Sequence, residues 1–127
     1  MPFMQRIKNF TYRWGMSILM MAAIFFFSST PGDKLPNFGI SDTLVKKGGH
    51  MLGYGLLALS YWHGLKWDKK QTKWAWVFAV IYALTDEFHQ SFVSGRHPSL
   101  FDVVYFDSTG AAIALWEAKR IISPKKS

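Results

Sequence analysis

The chain has 127 residues, room for one domain and not two. Half of it is hydrophobic and 17% aromatic, while only 18% is charged, below the roughly one quarter typical of soluble domains. It has no cysteine, which excludes a disulfide framework and a thiolate metal site. The net charge of +7 could suggest nucleic acid. However, the basic residues lie between apolar runs and form no stripe along a helix, so no nucleic-acid partner is expected.

A mean hydropathy of +0.06 does not decide the class. The distribution of charge says more. Residues Trp14 to Gly32 carry no Lys, Arg, Asp or Glu, and neither do Gly48 to Leu65. Each run is close to the roughly 20 residues that cross about 30 Å of hydrocarbon as a helix. The first predicted helix, about 14–29, follows Arg6, Lys8 and Arg13. A signal peptide also has a basic start and a short apolar centre. But a small-x-small cleavage site is poorly formed after Phe25, Phe26 and Phe27, so an uncleaved helix is expected. Pro31, Gly32, Pro36 and Gly39 then mark a loop.

The second predicted helix, about 48–65, carries Gly49 and Gly53 at a spacing that either permits close backbone approach or is incidental. A short basic loop with Lys66, Lys69, Lys70 and Lys73 leads to the third helix, about 74–93. That helix is apolar for twelve residues and then meets Asp86, Glu87, His89 and Gln90. A loop with Gly95, Arg96, His97 and Pro98 precedes the fourth helix, about 101–117, which carries Asp102 and Asp107. The tail is basic, with Lys119, Arg120, Lys125 and Lys126. Most of the Trp and Tyr residues lie near the ends of apolar runs, where interfacial anchors belong.

The expected fold is an all-α integral membrane bundle of four transmembrane helices in one domain spanning 1–127. The alternative is a small soluble helical bundle with a polar pocket, because mid-helix ionisable groups weaken segments three and four as spans. If all four span, eleven of the fifteen Lys and Arg residues share one side, which puts both termini in the cytoplasm. The other four are Lys34, Lys46, Lys47 and Arg96, and the adjacent pair Lys46 and Lys47 fits the outer side least well.

This orientation gathers the intramembrane polar groups in the outer leaflet. Lys47, His50 and Tyr54 share one helical face, as do Asp86, Glu87 and Gln90. Arg96 lies in the outer loop, where a fork onto a carboxylate suits its geometry. Asp102 and Asp107 are five apart, about 140° around a helix, and cannot both point one way unless the first turn is irregular. Asp107 is expected to face the bundle and Asp102 to serve the loop or cap the helix. These nine residues form either one binding site or one buried ion-pair staple. His50 and Glu87 are the candidates for proton chemistry if the protein is an enzyme. His63 is expected at the interface and His89 as a packing residue. No histidine pair has a zinc-motif spacing, and neither a nucleophile elbow nor a glycine-rich phosphate loop is present. No metal or cofactor is expected.

Lys47-Gly-Gly-His50-Met-Leu-Gly-Tyr54, then Asp86-Glu87-Phe-His-Gln90-Ser-Phe92-Val-Ser-Gly95-Arg96, then Asp102-Val-Val-Tyr-Phe-Asp107-Ser-Thr-Gly110 resembles the VanZ-like family. The Ser28-Ser29-Thr-Pro31-Gly32 ending of the first helix is also similar. The family often has Asn where this chain has Asp107. The resemblance implies a small multi-helix protein of the bacterial cytoplasmic membrane. The family's founding member is associated with low-level resistance to teicoplanin, a lipoglycopeptide acting on cell-wall precursors. Expected partners are membrane lipids and cell-wall precursors or the lipoglycopeptide itself. A non-enzymatic envelope protein that binds a headgroup is one expectation, and an intramembrane enzyme acting on lipid-linked phosphate or acyl groups is the other.

Overall fold

The computed structural model describes residues 2–34, 37 and 39–122. Pro36 and the tail lysines Lys125 and Lys126 lie outside the described residues. The fold is all-helical, with four helices and no strands among the described residues. Helix α1 is Phe3–Ser29, α2 is Asp42–Gly64 and α3 is Thr72–Gln90. Helix α4 begins with Leu100–Asp102, passes through a π-helical turn, Val103–Asp107, and continues as Ser108–Ile122. Three of the four helices start well before the apolar runs that mark them or end after them. The polar turns at their ends, such as Gln5 to Tyr12 of α1 and Asp42 to Lys47 of α2, continue the helix without contributing apolar signal.

The helix ends follow from local chemistry. Thr30 precedes Pro31, is extended (φ −72°, ψ 124°), and so ends α1. Helix α2 ends in a tight reversal in which Lys66 and Trp67 both adopt positive φ, 62° and 57°. Trp62 fixes this turn, since its Nε1 donates to the Asp68 carbonyl at 2.8 Å and its ring meets Trp67 edge-on at 5.1 Å. Gly95 supplies the positive φ of 74° in the loop after α3. Ser99 then caps α4, its hydroxyl accepting from the Asp102 N–H.

The core combines small side chains with a few large ones, Tyr54, Leu57, Tyr61 and Trp62 among them. Ala75, Ala79 and Ala83 recur every four residues along α3 and are buried, together with Ala58 and Ala111. Large apolar side chains point outward from every helix, including Phe26, Leu52, Ile81 and Ile113, each at least half exposed. A contiguous apolar exterior of this kind suits an apolar surrounding, because without a hydrophobic drive between helices small residues allow the close packing. By length and composition one helix, Phe3–Ser29, is apolar enough to cross a membrane.

The tightest crossing joins α2 to α4. A side chain added at Gly110 would run into the Met51 backbone, and one at Gly55 would meet Ala114 at 3.1 Å and the Gly110 carbonyl at 3.2 Å. The Gly49 and Gly53 spacing does not serve this crossing, since a side chain added at either would meet nothing within 4 Å. At the far end, Gly64 lies against the Trp14 ring, and Arg13 Nε donates to the Gly64 carbonyl at 2.9 Å, satisfying the exposed end of α2.

Replacing Gly110 with Leu should therefore destabilise the protein by about 1–3 kcal/mol or more through overpacking. Gly53→Ala should be neutral or stabilising by up to about 1 kcal/mol through helix propensity. Thermal unfolding in detergent measures both, and a tolerated Gly110→Leu would contradict this packing.

Candidate functional site

The buried face of α3 changes character along its length. Ala75, Ala79 and Ala83 give way to Asp86, Glu87 and Gln90, all of them buried in the last turns. Helix α2 runs antiparallel beside them and presents Lys47, His50 and Tyr54. Helix α4 enters from the same end with Asp102 and Asp107. The polar groups of three helices thus meet at one end of the bundle.

Two contacts pair α2 with α4. Lys47 Nζ donates to Asp102 Oδ1 at 2.8 Å, and His50 Nδ1 lies 3.1 Å from Asp107 Oδ1. Lys47 also sits 4.3 Å above the Phe106 ring. The partners on α2 are three residues apart and those on α4 are five apart. The π-helical turn accounts for this match. With its wider helical repeat, two residues five apart fall near one face, where an α-helix would separate them. The first turn of α4 is therefore irregular, and both carboxylates face α2. Donors serve the disturbed ladder: the Ser108 hydroxyl donates to the Val104 carbonyl, and Trp76 Nε1 donates to the Ser108 carbonyl at 2.9 Å.

A second set of contacts centres on Asp86. Tyr54 Oη donates to Asp86 Oδ2 at 2.9 Å, and Gln90 Nε2 lies 3.4 Å from the same oxygen. Gln90 also reaches Ser28 Oγ of α1 at 3.2 Å. Glu87 Oε2 accepts from the Ser99 N–H at 2.6 Å and so holds the entry to α4. Asp107 is almost fully buried, and its Oδ2 has no hydrogen-bond partner among the described residues.

Two expectations need correction. Arg96 does not fork onto a carboxylate. Its Nε donates to the Thr30 carbonyl at 2.9 Å and its Nη2 donates to the Phe27 carbonyl, so it satisfies the carbonyls that end α1. Partial burial pulls its guanidinium below its ordinary value, opposed by the charges of Asp86 and Glu87. Asp102 does not cap α4, because Ser99 takes that role and leaves Asp102 to Lys47. Of the histidines outside the pair with Asp107, His89 stacks on Phe25 at 4.4 Å and contacts Ser29 Oγ at 3.4 Å. His63 packs at the opposite end between Tyr12 and Trp67. Among the described residues no group of His, Asp and Glu could hold a metal ion.

Ser28, Ser99 and Phe106 complete the cluster without having been read from the sequence as site residues, although Ser28 belongs to the ending of the first helix that resembles the family. Ser99 had a legible signal, since Ser99-Leu-Phe-Asp102 places an acid three residues after a capping hydroxyl. Ser28 and Phe106 had none beyond their neighbours, because an isolated serine or phenylalanine in an apolar run carries no sign of its partner.

The π-helical turn is open to direct test in this cysteine-free chain. Lys47→Cys with Asp102→Cys, and separately His50→Cys with Asp107→Cys, should each cross-link under oxidation. Deleting exposed Tyr105 should convert the turn to α-helix with the two carboxylate positions four apart, again on one face, and so keep both cross-links. Loss of one after the deletion would show that the π-helical turn does not absorb the extra residue.

The family model described as VanZ/LLP1 matches residues 13–122. No curated protein and no solved structure matches the chain. The match takes in α1 from Arg13 onward, the other three helices and every residue of the polar cluster, and the chain belongs to the VanZ-like family.

Proposed function

We propose that this VanZ-like protein is a multi-pass membrane protein of the bacterial cell envelope, with both termini in the cytoplasm and the polar cluster in the outer leaflet. There the cluster binds the headgroup of a lipid or cell-wall precursor and so alters sensitivity to teicoplanin-type glycopeptides. The membrane setting is supported by the apolar α1 and by large apolar side chains exposed on the other three helices. A retained α1, not a cleaved signal, is supported by its ties to the rest of the bundle. Tyr82 Oη donates to the Met21 carbonyl at 2.6 Å, and Arg96 and Gln90 hold its end.

The observation that carries the binding role is the incomplete hydrogen bonding of Asp107. A staple alone would satisfy its acceptors, since a buried unsatisfied polar group costs about 1–3 kcal/mol, and more when charged. Among the described residues no donor reaches Asp107 Oδ2. Beside it, the side chains of Lys47 and His50 remain about a third exposed at 34%. A headgroup with an anionic oxygen for Lys47 and a hydroxyl or amine for the His50–Asp107 pair complements this arrangement.

The His50–Asp107 pair also favours a second role. A carboxylate on Nδ1 orients the ring and leaves Nε2 as the working nitrogen, as in hydrolase dyads and triads. In an intramembrane enzyme acting on lipid-linked phosphate or acyl groups, His50 would be the general base. Glu87 is a poorer base, because its Oε2 is held by the Ser99 N–H.

Substitution distinguishes the two. For headgroup binding, Lys47→Met should remove most of any change in teicoplanin susceptibility at unchanged membrane abundance, while His50→Gln keeps part of it. For catalysis, His50→Gln should remove all of it, a loss of about 100-fold or more in turnover. If every cluster variant instead disappears from the membrane, the cluster is a staple. Orientation is checked by labelling single cysteines in intact cells. Ser94→Cys should react with an impermeant reagent and Lys70→Cys should not; the reverse pattern would invert the topology.

A further inference from the structure

The two ends of the bundle differ sharply in charge. At the end away from the polar cluster, α1 contributes Arg6, Lys8 and Arg13, and α4 contributes Lys119 and Arg120. The turn between α2 and α3 adds Lys66, Lys69, Lys70 and Lys73. Two acids, Asp68 and Glu117, stand against these nine cations, and both are engaged. Asp68 accepts from the Lys70 N–H at 2.9 Å, and Glu117 accepts from Arg120 at 2.8 Å. The cluster end has the reverse balance, with six acids to four cations.

The turn between α2 and α3 is the most built part of the basic end. Lys66 and Trp67 both hold positive φ, a region that residues with side chains adopt rarely. The Lys66 N–H donates to the His63 carbonyl at 2.9 Å and the Trp67 N–H to the Trp62 carbonyl at 3.0 Å. The Trp67 ring packs against Trp62 and His63, at 5.1 and 5.5 Å. The chain reverses within a few residues, and all four lysines are left exposed. Trp67 and Trp74 flank them and stay partly exposed, with Lys73 5.8 Å from the Trp74 ring. Immediately below on α3 come the exposed apolar rings of Trp76 and Phe78.

We propose that this basic turn, with the adjoining ends of α1 and α4, is a binding site for anionic phospholipid headgroups. The site rests on the multi-pass orientation above, which places this end in the cytoplasmic headgroup layer. Charge complementarity selects an anionic partner, since clustered Lys and Arg beside a membrane span attract anionic lipid. The arrangement selects lipid over a soluble polyanion. The lysines of the turn lie between Trp67 and Trp74 and next to the apolar rings of Trp76 and Phe78, as the headgroup boundary requires. A nucleic acid or an acidic protein would need a basic face free of that apolar margin.

The test uses the full chain in neutral detergent and follows thermal unfolding with phosphatidylglycerol or phosphatidylcholine added. Phosphatidylglycerol should raise the unfolding temperature by roughly 5 °C, and phosphatidylcholine should not. High salt should shrink the shift, since exposed charges are screened. The combined variant Lys66→Gln, Lys69→Gln and Lys70→Gln should lose most of it, whereas Lys34→Gln at the other end should keep it. Equal shifts with the two lipids, a full shift in the triple variant, or an equal shift with a heparin fragment would overturn the site. Should the triple variant fail to fold, native mass spectrometry of the wild-type chain decides. Preferential retention of anionic over zwitterionic lipid supports the site, and indifferent retention refutes it. Cysteine labelling reads the orientation separately, so a failed lipid shift with intact topology removes this site alone.

Discussion

The close approach of α2 and α4 at Gly110 is the constraint on which the polar cluster depends. Only with the Met51 backbone against a residue lacking a side chain can Lys47 and His50 reach Asp102 and Asp107. The spacing on the two helices would still not match if both were α-helical. The π-helical turn absorbs the difference, and Ser108 and Trp76 supply donors where the ladder is disturbed. A backbone irregularity and a glycine thus combine to neutralise charges that would be very unfavourable alone in an apolar bundle.

Once that pairing is made, the remaining connections at the same end fall into place. Asp86 gathers Tyr54 from α2 and Gln90 from its own helix, and Gln90 passes the connection to Ser28 of α1. Glu87 and Ser99 fix the start of α4, which sets the register of the π turn after it. Arg96 holds the end of α1 by its carbonyls, so α1 joins the cluster without contributing a charge to it. Arg13 does the same for α2 at the opposite end. In both cases an arginine from a neighbouring element supplies the donors that a helix C-terminus lacks.

The helical class and the residues of the cluster were legible in the sequence because they rest on periodicity. Lys47, His50 and Tyr54 share a face at any straight helical geometry, and so do Asp86, Glu87 and Gln90. The relation of Asp102 to Asp107 was not legible, because a π-helical turn leaves no mark on the pattern of apolar residues. Sequence reasoning identified only the condition under which both could face one way. The partner of Arg96 was also hidden. A guanidinium near four carboxylates suggests an ion pair, while the unsatisfied carbonyls of a distant helix end are invisible in a sequence. Gly49 and Gly53 stayed open between close packing and an incidental role, because spacing marks glycines able to pack closely while the partner helix determines which of them do so; they are incidental to the crossing, and here Gly55 meets Gly110.

Asp107 is also where this chain departs from the VanZ-like pattern it resembles, in which Asn is frequent. The difference changes what His50 can present to a ligand. A carboxylate only accepts, so Asp107 draws the proton of a neutral imidazole to Nδ1 and leaves Nε2 as an acceptor or base. An asparagine amide could instead donate to Nδ1, which would move the proton to Nε2 and make His50 a hydrogen-bond donor. The backbone, the π turn and the α2–α4 crossing can remain the same in either case. One side chain beneath the histidine would therefore set whether a neutral His50 presents a lone pair or a proton at Nε2, and this chain carries the residue that favours the lone pair.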